Sequence, residues 1–148
     1  MNVSVNIKKL HEKAIIPRYG SEYAAGADIY ACIDEGSVEL EPGQTVLVHT
    51  GIAMEIPQGL VGWVYARSGL ATKRGLAPAN KVGVIDCDYR GELMVSLYNQ
   101  SNTVQTIEHG ERIAQLVIAP YYTAVFEETD RLSDTVRGEG GFGSTGTK

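Results

Sequence analysis

Short segments in which apolar and polar residues alternate restrict the fold of this chain more than any other feature of its sequence. A period of two places successive side chains on opposite faces of an extended strand. Turn-forming residues interrupt the pattern at short intervals, as in Glu41-Pro42-Gly43 and Pro57-Gln58-Gly59. The alternating or apolar segments are 3–7, 46–52, 60–65, 82–85, 93–97 and 113–118. Many short strands joined by close turns predict an all-β fold, a distorted jelly-roll-like β-barrel or sandwich.

Residues 68–74 predict one short helix in this β-rich chain. We expect Ser68 to cap its first turn and Gly75 to end it in the left-handed conformation. Arg67 precedes the helix, and a cation beside the free N–H groups of a helix start favours binding of an anion. An ordinary connector between two strands is the alternative interpretation of the segment.

Length and composition predict one domain and argue against membrane and nucleic-acid partners. With 148 residues, of which 43% are hydrophobic, the chain can bury one core. We expect a cytoplasmic protein without a membrane partner, because neither a membrane-length apolar run nor a secretory signal pattern is present. Cys32 and Cys87 are far apart and suggest neither a disulfide framework nor a zinc site. The net charge of −5 argues against direct binding to nucleic acid.

Asp86 ends one apolar segment and opens the turn that leads to the next. The segments 82–85 and 93–99 on either side of this turn predict a β-hairpin with a carboxylate at its mouth. Such a carboxylate could act as a base, and Tyr89 could offer a flat face to a sugar or a ring. A turn aspartate that bonds its own backbone is the alternative.

The C-terminal residues 137–148 differ in composition from the predicted domain at 1–136. They contain five glycines and little apolar surface, which predicts a mobile tail. Their cations, hydroxyl groups and glycine N–H groups suit a phosphate-bearing nucleotide, so we expect the tail to close over a bound substrate. A disordered terminus without function is the alternative.

Five motifs in this chain resemble, in the same order, those of the trimeric deoxyuridine triphosphatase (dUTPase) family. Together the five motifs span most of the chain. The first, fourth and fifth motifs are Ala25 to Ala31, Gly110 to Leu116 and Arg137 to Gly146. The second is Ala66 to Ala71 with Lys73, and the third is Gly83 to Asp86 with Tyr89 to Glu92. Ala66 departs from the proline that many members of the family have before the arginine.

The resemblance implies hydrolysis of dUTP to dUMP and pyrophosphate with Mg²⁺, in a homotrimer whose active sites are shared between subunits. This reaction would limit uracil incorporation into DNA and supply dUMP for dTTP synthesis. In the matched motifs, Asp86 corresponds to the residue that orients and deprotonates the water attacking the α-phosphate. Asp28 corresponds to the carboxylate that contacts Mg²⁺ through water, the metal being carried by the triphosphate.

The resemblance also implies a set of substrate contacts. Tyr89 would pack on the deoxyribose, Asn80 would help the backbone recognise uracil, and Phe142 would stack on the base. The implied substrate-binding residues are Arg67, Ser68, Gly69, Asn80, Gly83, Val84, Ile85, Tyr89, Met94, Gln115, Arg137, Phe142, Gly143, Ser144 and Thr145. Of these, the second- and fourth-motif residues would bind phosphate, and Arg137, Ser144 and Thr145 would hold the γ-phosphate.

Two other functions are compatible with the same fold. A dCTP deaminase of the same superfamily would need a glutamate near the base, and usually has a serine where Gly69 stands. A non-catalytic trimeric β-module could bind a nucleotide or a partner protein as a signal. The presence of Asp86, Tyr89 and the tail motif argues against loss of catalysis.

Overall fold

The computed structural model describes residues 2–34 and 36–142 of the chain. This part contains eleven β-strands and one α-helix. The strands are β1 Asn6–Lys9, β2 Arg18–Tyr19, β3 Ala27–Tyr30, β4 Ser37–Leu40, β5 Thr45–Glu55, β6 Leu60–Tyr65, β7 Leu76–Pro78, β8 Gly83–Ile85, β9 Glu92–Asn99, β10 Gln105–Glu108 and β11 Arg112–Pro120, and the helix is α1 Ser68–Arg74. The all-β prediction is confirmed.

The strands form two larger antiparallel sheets and one small one. The larger sheets have the strand orders β1-β5-β9-β7 and β2-β3-β11-β6-β8, and β10 pairs with β4. Each larger sheet has two free edges in the described part of the chain, so the fold is an open, jelly-roll-like sandwich and not a closed barrel. β8 forms one of these edges, because β6 is the one strand that pairs with it among the described residues.

The alternation that predicted strands also defines the core. In β9 buried and half-buried residues alternate along the whole strand, and Leu93, Val95 and Leu97 are the buried apolar members. Burial of such a side chain contributes on the order of 1.5–3 kcal/mol. Other fully buried large side chains are Ile29, Leu40, Ile52, Leu76, Ile107 and Ile113.

The predicted helix is confirmed with the expected bounds, but one of its caps was wrong. Gly75 has φ 66° and donates its N–H to the carbonyls of the last turn, as expected of a left-handed C-cap. The N-cap is Arg67, in extended conformation, and no side chain caps the helix. Because Ser68 is already the first helical residue, its hydroxyl is not placed to accept from the next turn.

The predicted hairpin is also wrong. β8 pairs with β6 in the five-stranded sheet, whereas β9 pairs with β5 and β7 in the four-stranded sheet. The six residues 86–91 are long enough to pass from one sheet to the other, so each strand finds its partner elsewhere. Asp86 and Tyr89 therefore lie where the two sheets meet.

The chain after β11 adds no regular structure in the described part. The last strand ends at Pro120, and residues 121–142 form neither helix nor strand and are exposed apart from Gly140. The division into 1–136 and 137–148 stays a prediction. Residues 2–34 and 36–142 include no helix long and apolar enough to cross a membrane.

Candidate functional site

A cluster of charged and amide side chains lies where β3, β11 and β6 run side by side in the five-stranded sheet. Gln115 of β11 stands opposite Asp28 of β3 and opposite Tyr65 of β6. Arg67 follows Tyr65 by two residues, and Arg112 begins β11. The strand register therefore brings residues distant in sequence to one place.

Two arginines bind the two oxygens of a single carboxylate in this cluster. Nε–H of Arg67 donates to Oδ1 of Asp28 at 2.7 Å, and Nη1–H of Arg112 donates to Oδ2 at 3.2 Å. Asp28 is only 9% exposed. Two guanidinium groups against one carboxylate leave a net positive charge, and the remaining N–H groups of both arginines suit a phosphate.

The cluster borders an open cleft of about 280 Å³. The amide Nε2–H of Gln115 donates to the carbonyl of Ala66 at 2.8 Å, which holds it against the turn before α1. Gly26 allows this arrangement, because a Cβ there would lie 2.4 Å from Oε1 of Gln115. The cleft is lined by Gly20, Ser21, Ala24, Gly26, Asp28, Arg67, Ser68, Gly69, Arg112 and Gln115. The predicted phosphate and metal residues are thus neighbours, and their roles stay predictions.

A second cavity, of about 230 Å³, lies between β8 and β9. Its lining residues are Leu47, Val84, Ile85, Asp86, Tyr89, Glu92, Leu93 and Met94. Asp86 is exposed at the rim. Asn80 lies nearby, with Nδ2 3.6 Å from the position that a Cβ would take at Gly83. The predicted nucleoside-binding residues of the domain are therefore close together, although the predicted hairpin does not form.

The turn that carries Asp86 is held by its own side chains. Arg90 donates Nη1–H to the carbonyls of Cys87 at 2.7 Å and Tyr89 at 3.1 Å. Its Nη2 lies 3.4 Å from Oε1 of Glu55 in β5. Hydrogen bonding by Asn6 and the nearby charge of Arg90 lower the pKa of the Glu55 carboxyl. These contacts connect the turn to the four-stranded sheet.

Within residues 2–34 and 36–142 of one chain, the two cavities do not meet. They share no lining residue. Ile85 stands opposite Gly62, so the antiparallel register places Asp86 level with Val61, six residues before Arg67. At about 3.3 Å per residue, Asp86 and Arg67 are separated by on the order of 20 Å along the strand direction.

The C-terminal residues make few contacts with either cavity in the described part of the chain. Nε–H of Arg137 donates to the carbonyl of Gly140 at 2.8 Å, within the tail itself. Phe142 is fully exposed. Gly143, Ser144 and Thr145, which the motif also predicted, lie outside the described residues.

The residues present fit Mg²⁺ only through an intervening water. The described residues include no group of three or more His, Cys, Asp or Glu side chains arranged to hold a metal ion. Both oxygens of Asp28 already accept from arginines, but each carboxylate oxygen has a second acceptor position. Asp28 can therefore accept a hydrogen bond from metal-bound water, whereas the two guanidinium groups disfavour a directly bound cation.

Sequence reasoning missed several residues that line these cavities, and Arg112, Glu92 and Leu47 are the larger side chains whose absence from the prediction has a clear cause. Arg112 lies inside the fourth motif, and the pairing of β3 with β11 is what brings it to Asp28. Glu92 and Leu47 become visible only when β5 and β9 are placed together. Only a prediction of how these strands pair could have placed the three residues at the cavities.

Several known proteins with similar sequences carry the same name. A family model described as dUTPase matches residues 12–146. The deoxyuridine 5'-triphosphate nucleotidohydrolase of Syntrophotalea carbinolica is 49% identical over 144 residues, 97% of either chain. The protein of that name from Desulfitobacterium hafniense is 50% identical over 132 residues, 88% of this chain and 87% of that one.

Solved structures of phage proteins resemble the chain in fold. The dUTPase of Staphylococcus bacteriophage 80alpha with dUPNHPP superposes with a TM-score of 0.88 at 31% identity, covering 98% of this chain and 99% of that one. A mutant dUTPase from phage phi11 of S. aureus, described with a structural Mg(II) ion, has a TM-score of 0.80 at 25% identity over 89% of this chain and all of that one. The chain belongs to the dUTPase family of enzymes.

Proposed function

We propose that this protein hydrolyses dUTP to dUMP and pyrophosphate by attack of water on the α-phosphorus, with Asp86 as the residue that orients and deprotonates the water. The observation that carries the proposal is the position of Asp86, on the rim of a small apolar cavity beside Tyr89. Aspartate is ionised at neutral pH and accepts a proton as the attacking oxygen bonds to phosphorus. The names of the relatives support dUTP as the substrate.

The cavity beside Asp86 provides a basis for choosing uracil. β8 is an edge strand, so one side of its backbone has free N–H and C=O groups for the edge of a base. Cytosine presents the opposite donor and acceptor polarity and would leave these groups unpaired. Such a mismatch can cost on the order of 10⁴-fold in specificity. Tyr89 then bounds the sugar, where a 2′-hydroxyl would clash.

The charged cluster provides a basis for holding the triphosphate. Arg67 and Arg112 offer guanidinium N–H groups, and Ser68 and Gly69 offer unpaired N–H groups at the start of α1. Gln115 adds an amide positioned by the Ala66 carbonyl. This local positive charge offsets the overall charge of −5, which would otherwise repel the substrate.

Mg²⁺ carried by the triphosphate would neutralise charge on the phosphate oxygens, and Asp28 is the residue that would contact its water shell. Asp28 also keeps the side chains of Arg67 and Arg112 in place through its two carboxylate oxygens. Its own role is therefore to orient the groups that bind phosphate.

The active site is completed between copies of the chain, in a homotrimer. The separation of on the order of 20 Å between Asp86 and Arg67 supports this arrangement, because one nucleotide must contact both halves. We assign the nucleoside half to one copy and the phosphate half to a neighbour. The tail 137–148 then closes over the substrate, with Arg137, Ser144 and Thr145 at the γ-phosphate, Phe142 on the base and Gly143 among the substrate contacts. In a cytoplasmic setting the reaction limits uracil incorporation into DNA and supplies dUMP for dTTP synthesis.

Hydrolysis in ¹⁸O-labelled water tests the reaction. With dUTP and Mg²⁺, we expect one label in dUMP and none in pyrophosphate. Label in pyrophosphate would refute attack at the α-phosphorus, and an absence of cleavage would refute the function. Ammonia release from dCTP would instead identify a deaminase. A chain ending at Val136 should remain folded and lose most activity, because the clamp residues are removed.

A further inference from the structure

Glu92 lies in the wall between the proposed nucleoside cavity and another cavity behind it. We call the latter the rear cavity; His11, Cys32, Asp34 and His49 are among the residues that line it. The pairing of β5 with β9 is irregular here. His49 stands opposite Met94 and Ala53 stands opposite Glu92, so three residues of β5 face Leu93 alone. This bulge turns backbone N–H groups of β5 toward the Glu92 side chain.

The Glu92 carboxylate is held by two donors from the bulged strand. Oε1 accepts the N–H of Gly51 at 2.8 Å, and Oε2 lies 2.9 Å from Nδ1 of His49. The carboxylate only accepts, so the ring nitrogen is the donor. Burial raises the pKa of the Glu92 carboxyl, but the hydrogen bonds from His49 and Gly51 outweigh it and lower the pKa overall. The Glu92 side chain is 22% exposed, and its bond from Gly51 is partly buried, whereas its bond from His49 lies at the surface.

The backbone of the same residue holds Tyr89. The phenol O–H of Tyr89 donates to the Glu92 carbonyl at 2.9 Å. The ring also lies directly over Gly91, where a Cβ would come within 2.4 Å of the phenol oxygen. The position of the Tyr89 ring thus depends on where residues 91 and 92 are placed, and the Glu92 side chain ties residue 92 to β5.

We propose that Glu92 is a positioning residue for sugar selection: its carboxylate, bound by His49 and the β5 bulge, keeps the Tyr89 ring where it admits deoxyribose and excludes ribose. The inference rests on the proposed function, in which Tyr89 faces the sugar. Loss of the carboxylate leaves residue 92 held to β5 only by its backbone pairing with Ala53, beside the bulge, so it can shift. A shift of the Tyr89 ring then opens space for a 2′-hydroxyl. One small group in such a pocket changes specificity by about 10- to 200-fold.

The chain offers a matched control. His11, on the same rear cavity, pairs with Asp34 through Nε2 at 2.8 Å and makes no hydrogen bond to Glu92 among the described residues. His11→Ala and His49→Ala remove the same group from one cavity. Only His49→Ala removes a support of Glu92.

The test compares kcat/KM for dUTP and for UTP in the full-length protein. We expect Glu92→Ala to lower the dUTP preference by about tenfold, the low end of the range for one small group, with a raised KM for dUTP and a kcat within about threefold of wild type. His49→Ala should act in the same direction more weakly. Glu92→Gln, whose amide can still bond Gly51 and His49, should restore most of the preference. His11→Ala should leave it unchanged.

A double variant shows whether Glu92 acts through Tyr89. Tyr89→Phe cuts the bond to the Glu92 carbonyl, so adding Glu92→Ala should cause little further loss of sugar preference. Additive losses would contradict the inference. An unchanged preference in both Glu92→Ala and His49→Ala would also overturn it, and His49→Ala is safe for folding because its ring is 61% exposed.

Binding of dUMP and UMP by calorimetry gives the sugar preference without turnover. A wild-type chain that fails to cleave dUTP would refute the proposed function and leave this measurement possible. A dUMP preference that survives Glu92→Ala would refute the positioning role alone.

Discussion

Asp86 combines an exposed carboxylate with a firmly held backbone. The side chain is exposed at the rim of the proposed nucleoside cavity, whereas the turn behind it is held by Arg90 and by the bond from the Tyr89 N–H to the Asp86 carbonyl at 3.2 Å. A base needs this combination, since its carboxylate must reach water while its distance from the substrate stays constant. Asp88, in the same turn, is exposed but does not line the cavity.

Asp86→Asn should separate binding from chemistry. The amide has nearly the same shape but cannot accept the proton of the attacking water, so kcat should fall by about 10²- to 10⁴-fold. Affinity for a non-hydrolysable dUTP analogue should stay within about threefold. Pyrophosphate release and calorimetry measure the two quantities. Asp88→Asn is the control and should retain wild-type turnover; equal loss in both variants would remove Asp86 from its role.

Protonation of Glu92 should account for part of the loss in the free energy of unfolding at acid pH. A carboxyl with a lowered folded pKa stabilises the native state above its ordinary pKa of about 4.3, and this contribution disappears as the pH falls through the folded value. Urea unfolding between pH 6 and about pH 3 should therefore show a shallower loss of stability in Glu92→Gln than in wild type. His49→Gln should be intermediate. Parallel curves for all three proteins would contradict this.

The elements differ in how far local sequence determined them. Helix α1 and strand β9 follow from patterns within their own residues, and both were predicted with nearly correct bounds. The strands that pair with β8 and β9 were not predicted correctly, because strand pairing depends on the positions of the other strands in the two sheets. Short strands such as β4 and β10 have too few residues to show a period. Arg112 and Glu92 were missed because their positions depend on strand pairings that were not predicted, while motif order was enough to group the other site residues.

Substitution of Gly75 should show how much the C-cap of α1 contributes to stability. Its φ of 66° costs an L-residue on the order of 1–2 kcal/mol, and a Cβ would also lie 3.0 Å from the backbone N of Ser101. Gly43, with φ 77°, has no atom near its missing Cβ and carries only the conformational cost. We expect Gly75→Ala to lower the free energy of unfolding more than Gly43→Ala in urea titrations. Equal losses in the two variants would show that Ser101 moves away from the added Cβ at no cost in stability.

At the scale of the whole molecule, the proposed function needs two cavities that the described part of one chain keeps apart. The proposed nucleoside cavity lies at the edge strand β8, and the proposed phosphate cluster lies at the far end of the neighbouring β6. The exposed apolar residues after β11, among them Tyr122, Phe126 and Val136, also have no partner surface in the described part of their own chain. Both features favour an assembly in which copies complete one another.

Mixed assemblies should recover activity that neither parent has. Asp86→Asn removes the base and Arg67→Ala removes a phosphate contact, so each variant alone is expected to be nearly inactive. If each site takes its two halves from different copies, a random equal mixture has both halves intact in about one quarter of sites. Co-refolding the two variants and measuring pyrophosphate release from dUTP checks this, with affinity tags to show that mixed assemblies form. Mixed assemblies that stay as inactive as the parents would place both halves of the site in the same copy.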